Sequence, residues 1–560
     1  MTDPGRLDPY HFHQRDFETI DEVRDWFEWE VPETFNVASY VVDRWATRAA
    51  DDPALYLLDD GERTAYTFGE LHRDANRFAN YLAAQGLGRG DRIAVHGAQG
   101  PEALVAYLAT FKLGAVAVPL SVLLGTSGLA YRLADCGASA FVVSEAGADA
   151  VRSVRDDVDA LDQVVTAGAF DRDDETSLDA AMAGRDPDFD TAETSAEDAA
   201  FVVYTSGTTG EPKGVVHAHR FLLGILPQFL SLQRHDTSAG QVTRTVSEWS
   251  WIMTFPGMVL PTLFYGLPVV ADPSTRFDAE REFELIDAFG ITHLNLPPTA
   301  VRMMMGVEAP ADRYDLTSLR SLSTGGESAD SNIINWANKT FPNAAFLEGY
   351  GTTEVGGLIS DDPALGFDHR MGYFGVPSIG HEVAVFDRET AERIEDPGEI
   401  GELAVRYEGD PMLFVEYLHR PDLTAETVRD GWLFTDDLVS FDEDGYFRFH
   451  ARSDDVIISS GYRIAPKEIE ETLSGHAAVE SVGVIGVPHD TRGEIPKAFV
   501  VLADGYGGTA DLRKALQDHV RTDLAKYEYP RDIEFVDDLP LTTTGKIRRH
   551  SLREREGLDE

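Results

Sequence analysis

The sequence predicts an α/β protein. A large N-terminal domain of two helix-covered, mostly parallel sheets and a small β-rich subdomain precedes a small α+β C-terminal domain. Two blocks, at about 35–200 and 200–376, alternate apolar strand-like segments with helical patterns, which indicates parallel sheets covered by helices. Short strands separated by Gly, Pro and Asp follow, and the last hundred residues return to a mixed pattern.

The elements of the first block follow from their apolar spacing. We expect a helix that begins at Phe68 and ends near Gly86, a strand at 92–96, a helix at 102–113, and strands at 115–119 and 140–144. Residues 170–200 are acidic and weakly patterned, which predicts a solvated excursion at the surface.

Later segments predict the smaller parts of the chain. Strands at 382–387, 401–406 and 446–450 indicate the β-rich subdomain. A helix that begins at Ala465, strands at 479–487 and 497–502, and a helix at 510–523 indicate the C-terminal domain. The charged Arg452-Ser-Asp-Asp stretch is the predicted boundary, which gives domains at 1–453 and 454–560.

The composition excludes several classes of protein. There are 97 acidic and 48 basic side chains, a formal charge of −49, and 43% of residues are hydrophobic. The apolar content excludes a wholly disordered chain, and the charge disfavours nucleic-acid binding through phosphate contacts. Only eight of the basic residues are lysines, and an acidic, lysine-poor surface is typical of halophilic proteins in salt-rich cytosol.

The chain also lacks signals for export or membrane insertion. Its N-terminus has no basic region followed by an apolar core, and no uncharged apolar run reaches the ~18 residues of a membrane-spanning helix. The sole cysteine, Cys136, cannot form an internal disulfide and is expected to be a small buried residue at a helix end. These features predict a cytoplasmic protein without nucleic-acid or membrane partners, and they leave the oligomeric state open.

The most informative segment is a strand that leads into a loop of glycines and hydroxyls. From Thr205 to Gly214, ten residues hold four hydroxyl side chains, three glycines and one lysine. Glycines let backbone N–H groups approach a polyanion, hydroxyls donate further hydrogen bonds, and lysine supplies positive charge. Since Pro212 precedes the lysine, this is not a Walker loop. The candidate residues are Thr205, Ser206, Gly207, Thr208, Thr209, Gly210 and Lys213.

This loop resembles that of the adenylate-forming superfamily, which includes acyl-CoA synthetases, adenylation domains of peptide synthetases and firefly-type luciferases. Later motifs follow in the family's order over nearly the whole chain. Ser323-Thr-Gly-Gly-Glu-Ser is similar to the family's adenine-contacting turn. Leu347-Glu-Gly-Tyr-Gly-Thr-Thr-Glu354 is similar to the segment that packs on adenine and meets the α-phosphate. The implied nucleotide contacts are Gly325, Gly326, Glu327, Glu348, Gly349, Tyr350, Gly351, Thr352 and Thr353.

The same resemblance implies catalytic roles for Thr353, Glu354 and Lys213. Glu354 would help to hold Mg²⁺, a role that suits a hard oxygen ligand. Thr353 offers a donor for the phosphate.

Two further segments resemble the ribose site and the hinge of the family. Gly431-Trp-Leu-Phe-Thr-Asp-Asp437 implies that Asp437 binds the ribose hydroxyls, although Asp436 stands where the family has glycine. Phe449-His-Ala-Arg452-Ser-Asp454 matches the hinge, with Ala451 in place of the usual glycine. Arg452 would contact ribose or phosphate, and Asp454 would be the pivot of a mobile C-terminal domain.

The segment around Gly461 is similar to the one that swings in for thioester formation in the family. There, glycine lets the pantetheine arm of coenzyme A pass close to the backbone. The implied contacts are Ser460, Gly461, Tyr462 and Arg463. Arg492 and Arg521 match cationic CoA contacts of the medium-chain acyl-CoA synthetase branch, whereas Glu528 stands where that branch often carries lysine.

Leu539-Pro-Leu-Thr-Thr-Thr-Gly-Lys546 resembles the family's final motif, whose mobile lysine reaches the acyl carboxylate and the α-phosphate. Adenylation needs such a cation, because a carboxylate must approach an anionic phosphate. One preorganised donor of this class is worth ~10²–10³ in rate. Most basic residues of this chain are arginines, so a lysine at position 546 indicates a need for a compact, flexible point charge.

The acyl pocket is expected between the phosphate loop and Tyr350. Ser247-Glu-Trp-Ser-Trp251 resembles a segment of acetyl- and medium-chain acyl-CoA synthetases, so Trp251 is an expected pocket wall, with the apolar series 255–264 beyond it. Acetate pockets of the family carry Trp in the segment where Gly349 and Tyr350 stand here. These two residues therefore predict a cavity larger than acetate requires. They do not indicate whether the acid is straight, branched or aromatic.

Together the motifs predict an ATP-dependent acyl-CoA synthetase. With ATP, Mg²⁺ and coenzyme A it would convert a short- or medium-chain fatty acid larger than acetate into its thioester through an acyl-adenylate. The alternatives are an aryl-acid (benzoate-type) CoA ligase, a stand-alone adenylation enzyme that loads a carrier protein, and a non-catalytic nucleotide sensor. Retention of both Glu354 and Lys546 argues against the sensor.

Overall fold

The computed structural model describes residues 7–59, 61–144, 147, 158, 161–167, 176–205, 212–274, 276–327, 329–452, 455–459, 462–489, 492–524, 529–541 and 546–558. The chain forms two compact units. The first comprises Met1–Arg370, Phe374–Glu382 and Arg406–Leu433, and the second comprises Met371–Tyr373, Val383–Val405 and Phe434–Glu560. Within the described ranges, no helix is long and apolar enough to cross a membrane.

A nine-stranded sheet forms one layer of the first unit. Its six central strands are parallel, and the strands at its two edges are antiparallel. In spatial order the strands are β16 (Val376–Pro377), β15 (Gly356–Ser360), β14 (Ala345–Thr352), β13 (Ser321–Gly325), β12 (His293–Asn295), β10 (Thr243–Thr245), β11 (Val269–Val270), β1 (Pro53–Asp59) and β2 (Glu62–Thr67).

An eight-stranded sheet forms a second layer of the same unit. In spatial order its strands are β19 (Glu416–Tyr417), β9 (Lys213–Ala218), β8 (Ala199–Thr205), β4 (Val116–Pro119), β3 (Arg92–His96), β5 (Ala140–Ser144), β6 (Gln163–Ala167) and β7 (Thr176–Ser177). Strands β8 to β7 are parallel, whereas β9 and β19 are antiparallel additions at one edge.

Helices of the first unit pack on these sheets. The long helix α3 begins with a capping box, in which Thr67 and Glu70 each bind the backbone N–H of the other. The described helices are α1 (Ile20–Trp26), α2 (Arg44–Arg48), α3 (Phe68–Ala84), α4 (Pro101–Leu113), α5 (Thr126–Cys136), α6 (Leu178–Met182), α7 (Phe221–Leu232), α8 (Leu260–Phe264), α9 (Ala279–Phe289), α10 (Pro298–Met305), α11 (Ser331–Thr340) and α12 (Pro421–Thr427).

Shorter elements complete the first unit. The described 3₁₀ and π-helical turns are Asp8–Gln14, Ser39–Asp43, Phe255–Val259, Pro310–Asp312 and Pro363–Leu365. A short strand β20 (Val428–Arg429) pairs with the first residues of β21 (Trp432–Phe441).

The second unit is α+β. An antiparallel sheet contains β17 (Val383–Phe386), β18 (Gly401–Arg406), most of β21, and β22 (Phe447–Arg452). Another sheet contains β24 (Tyr462–Ile464), β23 (Ile457–Ser459), β26 (Gly493–Leu502), β25 (Val479–His489) and β27 (Asp532–Val536). Its helices are α13 (Pro466–Ser474), α14 (Ala510–Asp523) and α15 (Arg549–Arg555). Apolar side chains of β25, β26, α13 and α14 form its core.

The predicted fold class is confirmed, and the strongly patterned elements lie where the sequence places them. Strands 92–96 and 140–144 and helix 510–523 have the predicted bounds. Cys136 is buried at the end of α5, and burial raises the pKa of its thiol to about 12. The boundary between 453 and 454 falls outside the described residues and stays a prediction.

The expectation of a solvated excursion at 170–200 is wrong for the end of that segment. Backbone carbonyls there accept hydrogen bonds from core side chains: Asn76 Nδ2 donates to Pro187 O at 2.7 Å and Asn36 Nδ2 to Ala192 O at 3.1 Å. Thr194 is wholly buried. Polar core side chains satisfy this backbone, and an apolar pattern does not reveal that arrangement.

A buried cluster around Arg244 joins the two layers of the first unit. Arg244 in β10 binds Glu282 in α9 through Nη2–Oε1 at 2.6 Å and Nε–Oε2 at 3.2 Å. Arg244 Nη1 also donates to the side-chain oxygen of Gln99, which follows β3. Gln99 Nε2 in turn donates to the carbonyl oxygens of residues 245, 246 and 247. The carboxyl ends of β3 and β10 are thereby fixed to each other.

Replacing Glu282 should destabilise the fold strongly. In Glu282→Gln, Arg244 loses its counter-charge while remaining 3% exposed, and breaking a buried pair costs about 3–5 kcal/mol. Denaturant unfolding measures the loss. The control is Glu284→Gln on the same helix, whose ion pair with Arg281 is half-exposed and should change stability by about 0.5 kcal/mol or less. Equal losses in the two variants would contradict this account.

Candidate active site

The glycine-rich loop is closed by an antiparallel hairpin. Strands β8 and β9 pair so that Thr205 lies opposite Lys213, which brings the two ends of the loop together. Both side chains are half-buried. The Nζ atom of Lys213 lies 5.7 Å from the ring centroid of Tyr417, in cation–π range. Five predicted loop residues lie outside the described residues: Ser206, Gly207, Thr208, Thr209 and Gly210.

The same tyrosine holds the predicted metal-binding carboxylate. The Tyr417 hydroxyl donates to Glu354 Oε1 at 2.9 Å, and Thr352 Oγ1 donates to Glu354 Oε2 at 2.9 Å. Glu354 is half-buried, so it keeps contact with solvent. The Tyr417 phenol thus contacts both a lysine of the eight-stranded sheet and a carboxylate just after strand β14 of the nine-stranded sheet. The structure brings the two motifs together.

One carboxylate in this setting is compatible with Mg²⁺. Magnesium is usually held by one or two carboxylates together with substrate phosphates and water, rather than by a cage of protein ligands. Among the described residues, no group of three or more His, Cys, Asp or Glu side chains is arranged to hold a metal ion by itself. Glu354 beside the predicted phosphate loop fits the first arrangement.

The backbone of Thr353 and Glu354 is fixed from the eight-stranded sheet. His217 in β9 contacts the carbonyl oxygen of Thr353 through Nε2 at 2.8 Å, and the N–H of Phe414 donates to the carbonyl of Glu354 at 2.9 Å. Burial lowers the pKa of His217 to about 3, so its ring is neutral and the contact requires the tautomer with hydrogen on Nε2. The segment that carries the predicted catalytic side chains is therefore rigidly held.

The predicted adenine-binding turn lies beside the start of this motif. Strands β13 and β14 are parallel neighbours, with Gly325 opposite Gly349. Gly326 has φ +81°, a left-handed conformation that favours glycine. A Cβ atom on Gly325 would lie 2.9 Å from the carbonyl oxygen of Gly349, so the close approach of the two strands needs glycine. Glu327 follows in the turn and is half-buried.

Glu348 anchors that turn. Its carboxylate is buried and accepts the backbone N–H of Ala329 at 2.8 Å, while its own N–H donates to Asp361 Oδ2 at 2.8 Å. His369 Nδ1 contacts the same Asp361 oxygen at 2.8 Å. The turn is thus fixed to β14 through a side chain that the sequence pattern assigned to the nucleotide.

Tyr350 and Gly351 complete the motif. The Tyr350 ring is half-buried, with its centroid 5.0 Å from that of Phe374. A Cβ atom on Gly351 would lie 1.9 Å from the carbonyl oxygen of Gly356, so no larger residue fits there. A register shift between Tyr350 and Gly351 bends the strand at this point.

Trp251 lies in a turn ahead of two short helical segments. Thr254 Oγ1 donates to the carbonyl oxygens of Glu248 and Trp251 at 2.5 and 2.9 Å, and these bonds fix the turn. Trp251 is half-buried, whereas Trp249 is buried. The apolar series at 255–264 forms the π-helical turn and α8, and every residue in it is buried.

The second unit brings together two of its predicted site residues. Asp437 is buried and lies opposite Arg452 in the β21–β22 ladder, with Oδ1 4.0 Å from Nη1. Asp436, which replaces the family's glycine, is exposed and has φ +61°. Backbone geometry of the glycine type is therefore retained by a residue that tolerates it.

Other predicted residues of the second unit are described in part. Lys546 is exposed, and Arg492 is half-buried. Arg521 lies 3.8 Å above the Tyr529 ring and pairs with Asp518 at 3.0 Å. The backbones of Tyr462 and Arg463 form β24, but their side chains are not described, and Ser460, Gly461, Asp454 and Glu528 lie outside the described residues.

An anchor that the sequence reasoning missed lies just beyond Lys546. Arg549 binds Glu470 through Nη2 at 2.6 and 2.9 Å and Asp455 through Nη1 at 3.0 Å. Although burial opposes it, attraction to Glu470 and Asp455 raises the pKa of Arg549, which stays charged. Tyr417, His217 and Arg549 were missed because each acts through a distant partner, and no local spacing reveals such pairs.

Comparisons with known proteins agree with this geometry. The family model for AMP-binding enzymes matches residues 42–418, and that for the AMP-binding enzyme C-terminal domain matches residues 468–546. The chain is 33% identical over 535 residues to the uncharacterized acyl-CoA ligase YtcI of Bacillus subtilis, covering 94% of this chain and 97% of that protein. It is 33% identical to the mitochondrial acyl-coenzyme A synthetase ACSM4 of Mus musculus, covering 97% and 93%.

A solved structure has a similar fold over nearly the whole chain. The anthranilate CoA ligase AuaEII, in complex with anthranoyl-AMP, superposes with a TM-score of 0.84 at 27% identity. The match covers 94% of this chain and 98% of that chain.

Removing the Tyr417 hydroxyl should weaken nucleotide binding. In Tyr417→Phe the ring remains beside Lys213, but Glu354 loses a hydrogen bond to a charged acceptor, worth about 1.5–3 kcal/mol. We expect the Kd for Mg²⁺·ATP, measured by calorimetry, to rise about tenfold. The control is Tyr407→Phe, whose hydroxyl donates to the Phe414 and Val415 carbonyls and does not contact Glu354. If the two variants bind Mg²⁺·ATP equally well, Tyr417 does not position the carboxylate.

The left-handed backbone at Asp436 predicts a selective effect of β-branched residues. Asp436→Val should lose about 1–2 kcal/mol of unfolding free energy, because a Cβ-branched residue tolerates positive φ poorly. The unfolding free energy of Asp436→Gly should exceed that of Asp436→Val by about the same amount. Arg448→Val, an exposed position on the neighbouring strand, is the control and should change stability by about 0.5 kcal/mol or less. Thermal or urea unfolding measures these stabilities. If Asp436→Val is as stable as the wild type, the backbone at this position does not disfavour β-branched residues.

Proposed function

The chain belongs to the AMP-binding enzyme family and is an ATP-dependent, AMP-forming acyl-CoA synthetase, and we propose that its acid is a short- or medium-chain fatty acid larger than acetate. The observation that best supports this activity is that Tyr417 contacts both Lys213 and Glu354. These contacts bring a cation and a hard carboxylate together at the end of a glycine-rich loop.

The first step forms the acyl-adenylate. A carboxylate oxygen of the acid attacks the α-phosphorus of ATP, the bond from that phosphorus to the bridging oxygen breaks, and pyrophosphate leaves. Thr205–Gly210 and Lys213 hold the departing phosphates, Thr353 contacts the α-phosphate, and Glu354 would hold the magnesium that arrives with ATP. Lys546 screens the approach of the two anions. The turn at Gly325, Gly326 and Glu327 and the stretch from Glu348 to Thr352 hold the adenine, while Asp437 and Arg452 hold the ribose.

The second step forms the thioester. The C-terminal domain turns about Asp454 and replaces Lys546 with the segment Ser460–Arg463. The thiol of CoA then attacks the acyl carbon and AMP leaves. Arg463, Arg492 and Arg521 supply positive charge for the phosphates of CoA. Closure excludes water that would otherwise hydrolyse the mixed anhydride.

The acid preference rests on Gly349. Glycine stands there, in the segment where acetate pockets of the family carry tryptophan, so no indole narrows the site. With Trp251 and Tyr350 as further walls, the pocket suits a chain longer than acetate. The similarity to an anthranilate CoA ligase favours an aryl acid as the second candidate.

The setting of the reaction follows from composition. A charge of −49 with eight lysines supports a halophilic protein that acts in a salt-rich cytoplasm, and the proposed fatty acid substrate supports a role in fatty acid metabolism. Its partners are the carboxylic acid, ATP and CoA.

An acid panel tests the function. Purified protein in concentrated KCl is given Mg²⁺·ATP and one acid from acetate to decanoate, benzoate or a branched acid, with and without CoA. We expect CoA-dependent AMP release and thioester formation, with hexanoate or octanoate above acetate and benzoate. Preference for benzoate selects the aryl-acid ligase. Acid-dependent pyrophosphate release without thioester selects a carrier-loading enzyme, and binding without turnover selects a sensor.

Lys546 can be tested on each half-reaction separately. Lys546→Ala should lower acyl-adenylate formation by about 10²–10³-fold, because one preorganised cation is lost. Thioester formation from supplied acyl-AMP and CoA should stay near the wild-type rate. Lys514→Ala, an exposed lysine of the same unit, is the control and should leave both rates unchanged. Wild-type adenylation by Lys546→Ala would exclude the proposed role.

A further inference from the structure

Arg420 is a half-buried cation in the turn that follows β19. Its Nη2 atom donates to the hydroxyl oxygen of Tyr131 at 3.1 Å. In the part of the chain that the structure describes, its guanidinium forms no ion pair with an acidic side chain, although the sequence holds 97 of them. An arginine that is kept apart from such abundant carboxylates is available to a negatively charged ligand.

The turn that carries Arg420 also carries Tyr417. The backbone N–H of Arg420 donates to the carbonyl oxygen of Tyr417 at 3.0 Å, which closes a four-residue turn. Within it, His419 has φ +59°, a left-handed conformation that is uncommon for residues other than glycine. Thr424 donates its N–H to the carbonyl of Arg420 at 3.1 Å, and its Oγ1 accepts the N–H of Tyr417 at 3.0 Å. The positions of Tyr417 and Arg420 are therefore set together.

The Tyr131 hydroxyl links Arg420 to the predicted phosphate loop. Tyr131 lies in α5, and its hydroxyl donates to the carbonyl oxygen of Pro212 at 3.0 Å. Pro212 directly precedes Lys213. On the other side of this lysine, the carbonyl oxygen of Gly214 accepts the N–H of Leu418 at 2.8 Å. The carbonyls on both sides of Lys213 are thus held by groups outside the loop.

The charge of Arg420 acts on this contact and on its surroundings. A hydroxyl that accepts a hydrogen bond from a guanidinium is polarised, so its own O–H becomes a stronger donor to Pro212. The guanidinium is also only two hydrogen bonds away from the backbone next to Lys213. Positive charges fixed close together raise the affinity of a site for a polyanion.

We propose that Arg420 is a positioning residue of the phosphate site, which fixes the end of the loop through the Tyr131 hydroxyl and adds positive charge near Lys213. This inference rests on the proposed function, because it takes the loop to hold the two phosphates of ATP that leave as pyrophosphate. The effect of Arg420 should therefore depend on the phosphates of the ligand. AMP lacks the two phosphates that the loop holds, so its binding should not depend on Arg420.

Calorimetric titration with three ligands tests this dependence. Arg420→Met keeps an apolar stem and has neither charge nor donor. Its Kd values for Mg²⁺·ATP and Mg²⁺·pyrophosphate should rise about fivefold, because one cation near the phosphates is lost. Its Kd for AMP should stay within about twofold of the wild-type value.

Two further arginine variants serve as rescue and control. Arg420→Lys restores the charge and a donor, and its Kd for Mg²⁺·ATP should return to within about twofold of the wild type. Arg429→Met removes an exposed arginine of β20, whose Nη1 donates to the carbonyl oxygen of Glu426. This control should leave all three Kd values unchanged.

Tyr131→Phe tests the route through the hydroxyl. It removes a single oxygen atom and should raise the Kd for Mg²⁺·ATP about threefold, so it also tests the proposal if Arg420→Met does not fold. The double variant Tyr131→Phe/Arg420→Met should lose less affinity than the product of the two single effects, because both changes remove the same contact. A loss equal to that product would show that the two side chains act independently, which would overturn the route.

The outcomes distinguish this inference from the proposed function. A wild-type enzyme that releases no AMP with any acid overturns the function itself. With an active wild type, the role of Arg420 alone is overturned if Arg420→Met binds Mg²⁺·ATP and pyrophosphate as tightly as the wild type, or if it loses affinity for AMP to the same extent. Weaker binding of ATP and pyrophosphate with unchanged binding of AMP supports the role.

Discussion

The site depends on the phenol of Tyr417, which contacts a cation of the eight-stranded sheet and a carboxylate just after strand β14 of the nine-stranded sheet. Its hydroxyl holds Glu354 and its ring faces Lys213. Short β19, which carries this tyrosine, is itself paired to β9, where Lys213 begins the strand. One side chain therefore contacts both the lysine that ends the predicted phosphate loop and the predicted metal-binding carboxylate.

The surrounding fold keeps this junction rigid. His217 holds the Thr353 carbonyl from β9, Gln228 holds the Tyr350 carbonyl from α7, and Gln99, which Arg244 contacts, fixes the ends of β3 and β10. Each contact uses a buried polar group, and each ties one sheet of the first unit to the other sheet or to α7. Such groups are costly to bury unless they are satisfied, so their presence at this edge marks where precise position matters.

Sequence predicted the fold class, the order of the elements and the location of the motifs, because apolar periodicity and glycine-rich turns are local signals. Strand 92–96 and helix 510–523 are examples. It did not predict Tyr417, His217 or Arg549, whose hydrogen-bond partners lie between 63 and 136 residues away along the chain. It also assigned 170–200 to the solvated surface, although the Asn76 and Asn36 amides hold the backbone at Pro187 and Ala192 in place. Glu348, read as a nucleotide contact, also holds the turn that precedes α11.

The central claim is that an acid attacks the α-phosphorus of ATP at the junction of these two sheets. Isotope transfer measures it most directly. With both carboxylate oxygens of an accepted acid labelled with ¹⁸O, turnover in the presence of CoA should deliver one labelled oxygen to AMP and none to pyrophosphate. Label in pyrophosphate or orthophosphate, or unlabelled AMP with full thioester yield, would contradict attack at the α-phosphorus.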